Sequence, residues 1–369
     1  MKRMISIIAL LLAPVMLLTA CAIPGAAPKT KPENPGKPAS GNNYGADLDN
    51  VDGSSDESSV RVWPWEDPSI TLPAFTGTVT ASGSVKSLKV LAIGDASSRD
   101  ALYFLPQIAK EAGIADVKVT VLSSNHSKTT LDIQWNQWNK NQEAYTHYEN
   151  TGDGWVTVAT SVKAKDVLCS DKWDYCILNT SIANSGVAGS ISASNFGNLV
   201  QSVSFTLTSK SSSNTNTNYN TKAKLVWMQT WAYENNSRSN LYNGFSTYDK
   251  DQQKMYTAIC EAVQTKVIKS SYIKGVIPVG TAVQNMREAY WSDGLTRDSE
   301  YLSNTGKVLA ALMVFKSLTG YDINAMELSD SVFNHARPHM GVIKESVNNA
   351  YLTPYAVTES VYHVAEQEG

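Results

Sequence analysis

From about residue 86 onward, short apolar runs alternate with stretches of helical periodicity. Residues 89–93, 117–122, 173–178, 224–228 and 273–279 are rich in Val, Ile, Leu and aromatic side chains over strand-like lengths. Between them, residues 100–112 place Leu102, Leu105, Ile108 and Ala109 on one helical face. A weaker helix is predicted over 196–203, a longer one over 251–267, and a strongly apolar one over 306–318. Strands that are apolar on both faces belong to parallel sheets covered by helices. The pattern therefore predicts an α/β, doubly wound parallel sheet of about five strands with helices on both faces. In such sheets ligands gather outside the carboxyl ends of the strands. The residues predicted to fall there are 94–98, 179–181 and 229–233.

The first 85 residues follow a different pattern. Lys2 and Arg3 precede an apolar run from Ile5 to Leu18, which has signal-peptide length and is too short to span a bilayer as a mature helix. Leu18-Thr19-Ala20-Cys21 has the form of a lipobox, which predicts a lipoprotein signal peptide over residues 1–20 and acylation of Cys21. Two or three acyl chains anchor firmly, at about 0.8 kcal/mol per buried methylene. The expected partner is thus a lipid bilayer, and the expected address is a bacterial cell envelope with the domain outside the cytoplasm. Residues 21–85 turn to Pro, Gly, Ser, Asn and acid, a composition that buries too little to offset chain entropy and predicts a lipid-anchored tether. Trp63 and Trp65 interrupt it and are expected to pack on the domain, residues 86–369.

A formal net charge of -3 with charged residues few gives no basic face for nucleic acid. Once Cys21 is assigned to the lipid, Cys169, Cys176 and Cys260 remain; a Cys169–Cys176 bridge and a free, buried Cys176 are both open. The five histidines are scattered, and no Cys/His spacing resembles a zinc site. Pro338 between His335 and His339 argues against a two-imidazole helical face, so neither metal nor cofactor is expected. A segment near 123–157, rich in Trp, Gln, Asn and Tyr, reads as an insertion lying over the site, and 210–222 as a low-complexity loop.

Two motifs carry chemistry. Val90-Leu91-Ala92-Ile93-Gly94-Asp95-Ala96-Ser97-Ser98 is an apolar strand running into a tight turn, and Leu295-Thr296-Arg297-Asp298-Ser299-Glu300-Tyr301 lies near the other end. With 225–233, 251–256 and 277–285, these residues make the chain resemble the SGNH/GDSL hydrolase superfamily. Within it, the chain is similar to a bacterial lipoprotein branch, domain-of-unknown-function family 4886. The resemblance implies a flavodoxin-like fold and ester hydrolysis by a serine. An Asp and a His three residues later orient and deprotonate that serine, and an oxyanion hole is built from backbone amide, Gly and Asn. Such a hydroxyl needs an imidazole to take its proton, and the imidazole needs a carboxylate to hold its tautomer.

Carried onto this chain, the nucleophile position falls on Ala96, the acid position on Asp298 and the base position on Tyr301. Alanine has no heteroatom, and a phenol with a reference pKa near ~10 is a poor general base. The glycine expected in the second block falls near Ser123, Ser124, Asn125 and His126, where none stands. The reading is a pseudo-esterase that binds a carbohydrate or acylated glycan in the old cleft. The alternative is an active carbohydrate esterase or deacetylase whose nucleophile has shifted to Ser97 or Ser98, with His126 as a substitute base. Gly94, Asp95, Ser97, Ser98, Asn179, Gln229 and Trp231 are the candidate oxyanion or binding residues. Trp135, Trp138 and Trp231, in expected loops over the site, are candidate stacking faces for sugar rings, with core packing as the competing role. Asp95 and Asp298 also read as turn or helix-start carboxylates, and Ser97 and Ser98 as N-cap residues.

Overall fold

The computed structural model describes residues 85–126, 129–235, 244–291 and 293–362. The expected signal peptide, Cys21, Trp63 and Trp65 lie outside the described residues. In chain order the principal elements are β1 Ser87–Gly94, α1 Ser97–Ala101, α2 Leu105–Glu111, β2 Asp116–Ser124, α3 Leu131–Asn139, β3 Glu143–Asn150, β4 Val156–Lys163, α4 Ala164–Cys169 and β5 Tyr175–Leu178. They continue with α5 Ala193–Thr208, β6 Lys224–Met228, α6 Gln252–Ala262, β7 Val276–Ile277, α7 Val279–Met286, α8 Asn304–Thr319, α9 Asp330–Phe333 and α10 Met340–Leu352.

The sheet has seven strands in the order β4-β3-β2-β1-β5-β6-β7, where the apolar pattern predicted about five. β2, β1, β5, β6 and β7 pair in parallel. Their spatial order is that of a doubly wound, flavodoxin-like sheet, whose direction of winding reverses between β1 and β5. The additional strands come from the segment expected to cover the site. Instead, β3 and β4 add antiparallel strands at the β2 edge, so the insertion widens the sheet. Its helix α3 packs beside α5. The fifth apolar run yields a β7 of only two residues, because Pro278 has no N–H for the ladder and α7 starts at Val279. The predicted helix over 100–112 divides into α1 and α2, with Pro106 in the first turn of α2, where a missing N–H costs nothing.

Alternation along the parallel strands sorts side chains between two cores. Leu88, Val90 and Ala92 of β1 join Ile177, Val226 and Met228 beneath α1, α2, α7, α8 and α10. Leu91 and Ile93 join Cys176, Leu178, Leu225 and Trp227 beneath α3, α4 and α5. Cys169, Cys176 and Cys260 are free thiols, and Cys176 is wholly buried within β5. Among the described residues no helix is long and apolar enough to cross a membrane.

Candidate functional site

The turn after β1 and the end of β5 meet where the winding reverses, and Asn179 joins them. Gly94 makes the approach possible: a Cβ there would stand 2.0 Å from Asn179 Oδ1. Asn179 Oδ1 accepts from the Asp95 amide at 3.2 Å and from Ser98 Oγ at 3.0 Å, and Asn179 Nδ2 donates to Ser97 Oγ at 2.9 Å. Gln134 of α3 donates to the Asn179 carbonyl at 2.6 Å. Ser97, Ser98 and Asn179 are all 0% exposed, so both hydroxyls are directed into this clasp rather than toward solvent. Asp95 Oδ1 accepts from the Ser97 amide at 2.9 Å and so fixes the turn. Ala96, half-buried at the start of α1, presents only a methyl group.

The second half of the site is the loop between Leu295 and Ser303. An antiparallel bridge joins Thr296 to Leu302, and the Arg297 amide donates to the Tyr301 carbonyl at 2.9 Å. Ser299 turns the loop with a φ of 76°. Asp298 Oδ1 accepts from the Glu300 and Tyr301 amides at 3.1 and 2.7 Å, so the retained carboxylate braces its own loop. Asp100, reaching from α1, accepts through Oδ2 from the Leu302 amide and from Arg297 Nη1, both at 2.9 Å. That buried carboxylate ties the two halves of the site together across the sequence. Arg297 also stands 5.3 Å from the centre of the Tyr301 ring.

Between the halves lie Asp95, Tyr233, Glu300 and Tyr301, close enough to perturb one another. Tyr233 donates from its hydroxyl to Glu300 Oε1 at 3.3 Å. Burial, and then the neighbouring Asp95 charge, push the Glu300 carboxyl up to about 7, against the pull of the Tyr233 hydrogen bond. Burial also raises the Asp95 carboxyl above its ordinary value. The Tyr301 and Tyr233 phenols are raised as well, first by burial and then by surrounding carboxylates, so neither serves as a base at neutral pH. The group offers hydroxyl donors, carboxylate acceptors and one carboxyl that changes state near neutrality. It contains no activated nucleophile.

The other sequence-predicted positions separate from this group. Gln229 is buried toward α6 and α7, donating to Cys260 Sγ at 3.2 Å and accepting from Thr281 Oγ1 at 3.1 Å. Gly280 allows that packing, since a Cβ would stand 2.1 Å from the Thr230 carbonyl. Trp231 is 0% exposed and donates from its indole to the Glu300 carbonyl at 2.7 Å, which makes it a strut beneath the loop. Trp138 is buried on the far face of the sheet and donates to Ser202 Oγ at 2.8 Å; half-buried Trp135 packs against the same core. Trp138 and Trp231, both buried, present no open face to a sugar ring. His126 is exposed beyond β2, and His147 on β3 lies 3.3 Å from Glu149. Among the described residues no three His, Cys, Asp or Glu side chains stand where they could hold a metal ion.

Glu300 and Asp100 were missed in the sequence. Glu300 sits inside a motif read for its Asp and His positions, and Asp100 reads as an ordinary first-turn carboxylate. The available signal was a cluster of three acidic side chains, Asp95, Asp298 and Glu300, within the two motifs themselves.

A family model described as Domain of unknown function (DUF4886) matches residues 89–338. The crystal structure of a DUF4886 family protein from Bacteroides uniformis ATCC 8492 is similar at 27% identity and a TM-score of 0.64, covering 75% of this chain and 100% of that one. A structure described as a candidate SGNH hydrolase from Slackia heliotrinireducens shares 15% identity over 63% of this chain and 99% of its own, with a TM-score of 0.40. One described as a candidate GDSL-like lipase from Parabacteroides merdae ATCC 43184 shares 9% over 65% and 99%, with a TM-score of 0.39. No curated protein matches the chain.

Proposed function

The chain belongs to the DUF4886 family, and from that premise we propose that it is a lipid-anchored envelope protein whose SGNH-hydrolase-like scaffold binds a carbohydrate or acylated glycan without cleaving it. One observation carries the reading. The nucleophile position holds the methyl of Ala96, and the adjacent hydroxyls of Ser97 and Ser98 are consumed by Asn179. Attack by either serine would require breaking the clasp that shapes the turn, and reacting atoms must be held to a few tenths of an ångström. What remains at the mouth suits sugar hydroxyls: half-buried Asp95 and Glu300 can accept, and half-buried Tyr301 can donate or accept.

The test is a pair of measurements on the purified protein. Small aryl acetates should not turn over above the rate of buffer, and a fluorophosphonate probe should leave Ser97 and Ser98 unlabelled. Covalent labelling of either serine would overturn the reading in favour of the shifted-nucleophile esterase. On glycan arrays, binding should weaken roughly tenfold in Tyr301→Phe, the cost of one lost hydrogen bond to a desolvated partner. Binding unchanged in both Tyr301→Phe and Glu300→Gln would remove the mouth as the ligand site. For the anchor, labelled fatty acid should be incorporated in the wild type and absent from Cys21→Ser.

A further inference from the structure

A cleft of about 270 Å³ opens at the other end of the strands, where β5, β6 and β7 begin. Tyr175, Tyr351 and Tyr355 wall it, Gly320 closes one end, and Lys224 and Lys274 stand at its rim, both exposed. Lys274 donates to the Ser271 carbonyl at 2.6 Å, and Lys316 Nζ stands 4.8 Å from the centre of the Tyr351 ring. The cleft therefore offers aromatic walls with positive charge around them.

The chain enters the domain beside it. β1 begins at Ser87, and Val85 packs against the same core as Tyr175, Tyr351 and Tyr355. β1 neighbours β5 and β5 neighbours β6, with Val90 level with Tyr175 and Lys224; two strand spacings and the three residues from Ser87 to Val90 put the start of β1 about 14 Å from that of β6. Upstream, the sequence reads Trp63-Pro64-Trp65-Glu66-Asp67-Pro68, indoles followed by paired carboxylates. This order complements tyrosine walls with lysines at the rim. A chain running from residue 68 to residue 84 has an r.m.s. reach of roughly 23 Å, ample for the distance, and confers an effective concentration on the order of millimolar. The amides of Thr358 and Val361 donate to Asn285 Oδ1 and Glu345 Oε1 at 3.0 and 2.9 Å, leading the chain back along α10, away from Leu352 and the cleft.

We propose that residues 63–67 dock in this cleft, an indole between the tyrosines and Glu66 and Asp67 on Lys224 and Lys274. Cleft and mouth lie at opposite ends of the strands, and the docking stands independently of the lipid-anchored reading above.

The test is zero-length carbodiimide coupling on the full chain, mapped by peptide mass spectrometry. Lys224 or Lys274 should be joined to Glu66 or Asp67. In Trp63→Ser/Trp65→Ser, which leaves every coupling group in place, that yield should fall roughly tenfold. The exposed charge reversal Lys224→Glu/Lys274→Glu should likewise release the segment, seen as a red shift of the Trp63 and Trp65 emission relative to variants lacking those indoles. Coupling that is absent, that is unchanged by removing the indoles, or that spreads evenly over the acidic residues of 47–57 would overturn the proposal. A 1:1 mixture of isotope-labelled and unlabelled protein separates the remaining case: links between copies would assign the cleft to a second chain and overturn it equally.

Discussion

The two halves of the mouth are held together in different ways. At the β1 end Gly94 lets the turn close on Asn179, and Ala96 presents a methyl group. The hydroxyls next in sequence are drawn into a buried clasp. At the 295–303 end Asp298 braces two amides of its own loop, and the phenol of Tyr301 is held protonated. One half is a buried clasp closed on Asn179. The other is a loop held to the first by Asp100. The comparison teaches that restoring single residues should not restore function, because the clasp end needs an atom whereas the loop end needs a group and a partner for it.

Reversion gives the largest expected contrast. Ala96→Ser alone should stay at background with aryl acetates, since no base is present. Ala96→Ser/Tyr301→His should exceed the single variant by roughly 100-fold, the lower range of general-base catalysis. Turnover by Ala96→Ser alone would show that another group already serves as base. Asn179→Ala should then cost about 3 kcal/mol in denaturant unfolding, because it leaves the Ser97 and Ser98 hydroxyls and the Asp95 amide without their buried partner. A loss below about 1 kcal/mol would mean that the clasp is not the organising contact of this end.

Asp100→Ala tests the tie between the halves. It should cost about 2 kcal/mol, reduced from the value for a fully buried pair because Arg297 is 46% exposed and partly screened. The same variant should raise hydrogen exchange at the Leu302 amide, which a purely electrostatic role would leave protected. The smallest effect concerns Glu300, whose carboxyl is raised in the folded protein from 4.5 to about 7. A carboxyl with a raised folded pKa binds its proton more tightly when folded, so stability falls as pH rises from 4.5 to 7 and is flat outside that window. Glu300→Gln should therefore gain about 1 kcal/mol over wild type at pH 8, after discounting for partial exposure, and nothing at pH 4. A gain of equal size at both values would trace the effect to packing instead.

Periodicity exposed the parts of the fold whose side chains are buried on both faces. β1, β2, β6 and α8 were legible for that reason. β3 and β4 were not: Glu143-Ala144-Tyr145-Thr146-His147-Tyr148-Glu149-Asn150 carries no apolar alternation, and β4 is largely exposed at the sheet edge, so backbone pairing rather than burial defines them. β7 was overread because apolar residues continue past a proline that ends its ladder. At the site, the two motifs mark the stretches that the fold brings together, the turn after β1 and the loop from Leu295 to Ser303, while Gln229 and Trp231, expected at the mouth from their nearness to a strand end, face the core.

The amino-acid sequence by itself determined which strands are central and that residues 96 and 301 carry a methyl group and a phenol, because apolar patterning and functional-group chemistry are local properties of residue type. Only the tertiary structure decided what the surrounding polar groups do. Whether Ser97 faces solvent or Asn179, whether Asp100 caps a helix or ties two loops, and whether Glu300 is an ordinary carboxylate or one poised near neutrality all depend on which partners the fold brings within hydrogen-bonding distance and how far it excludes water.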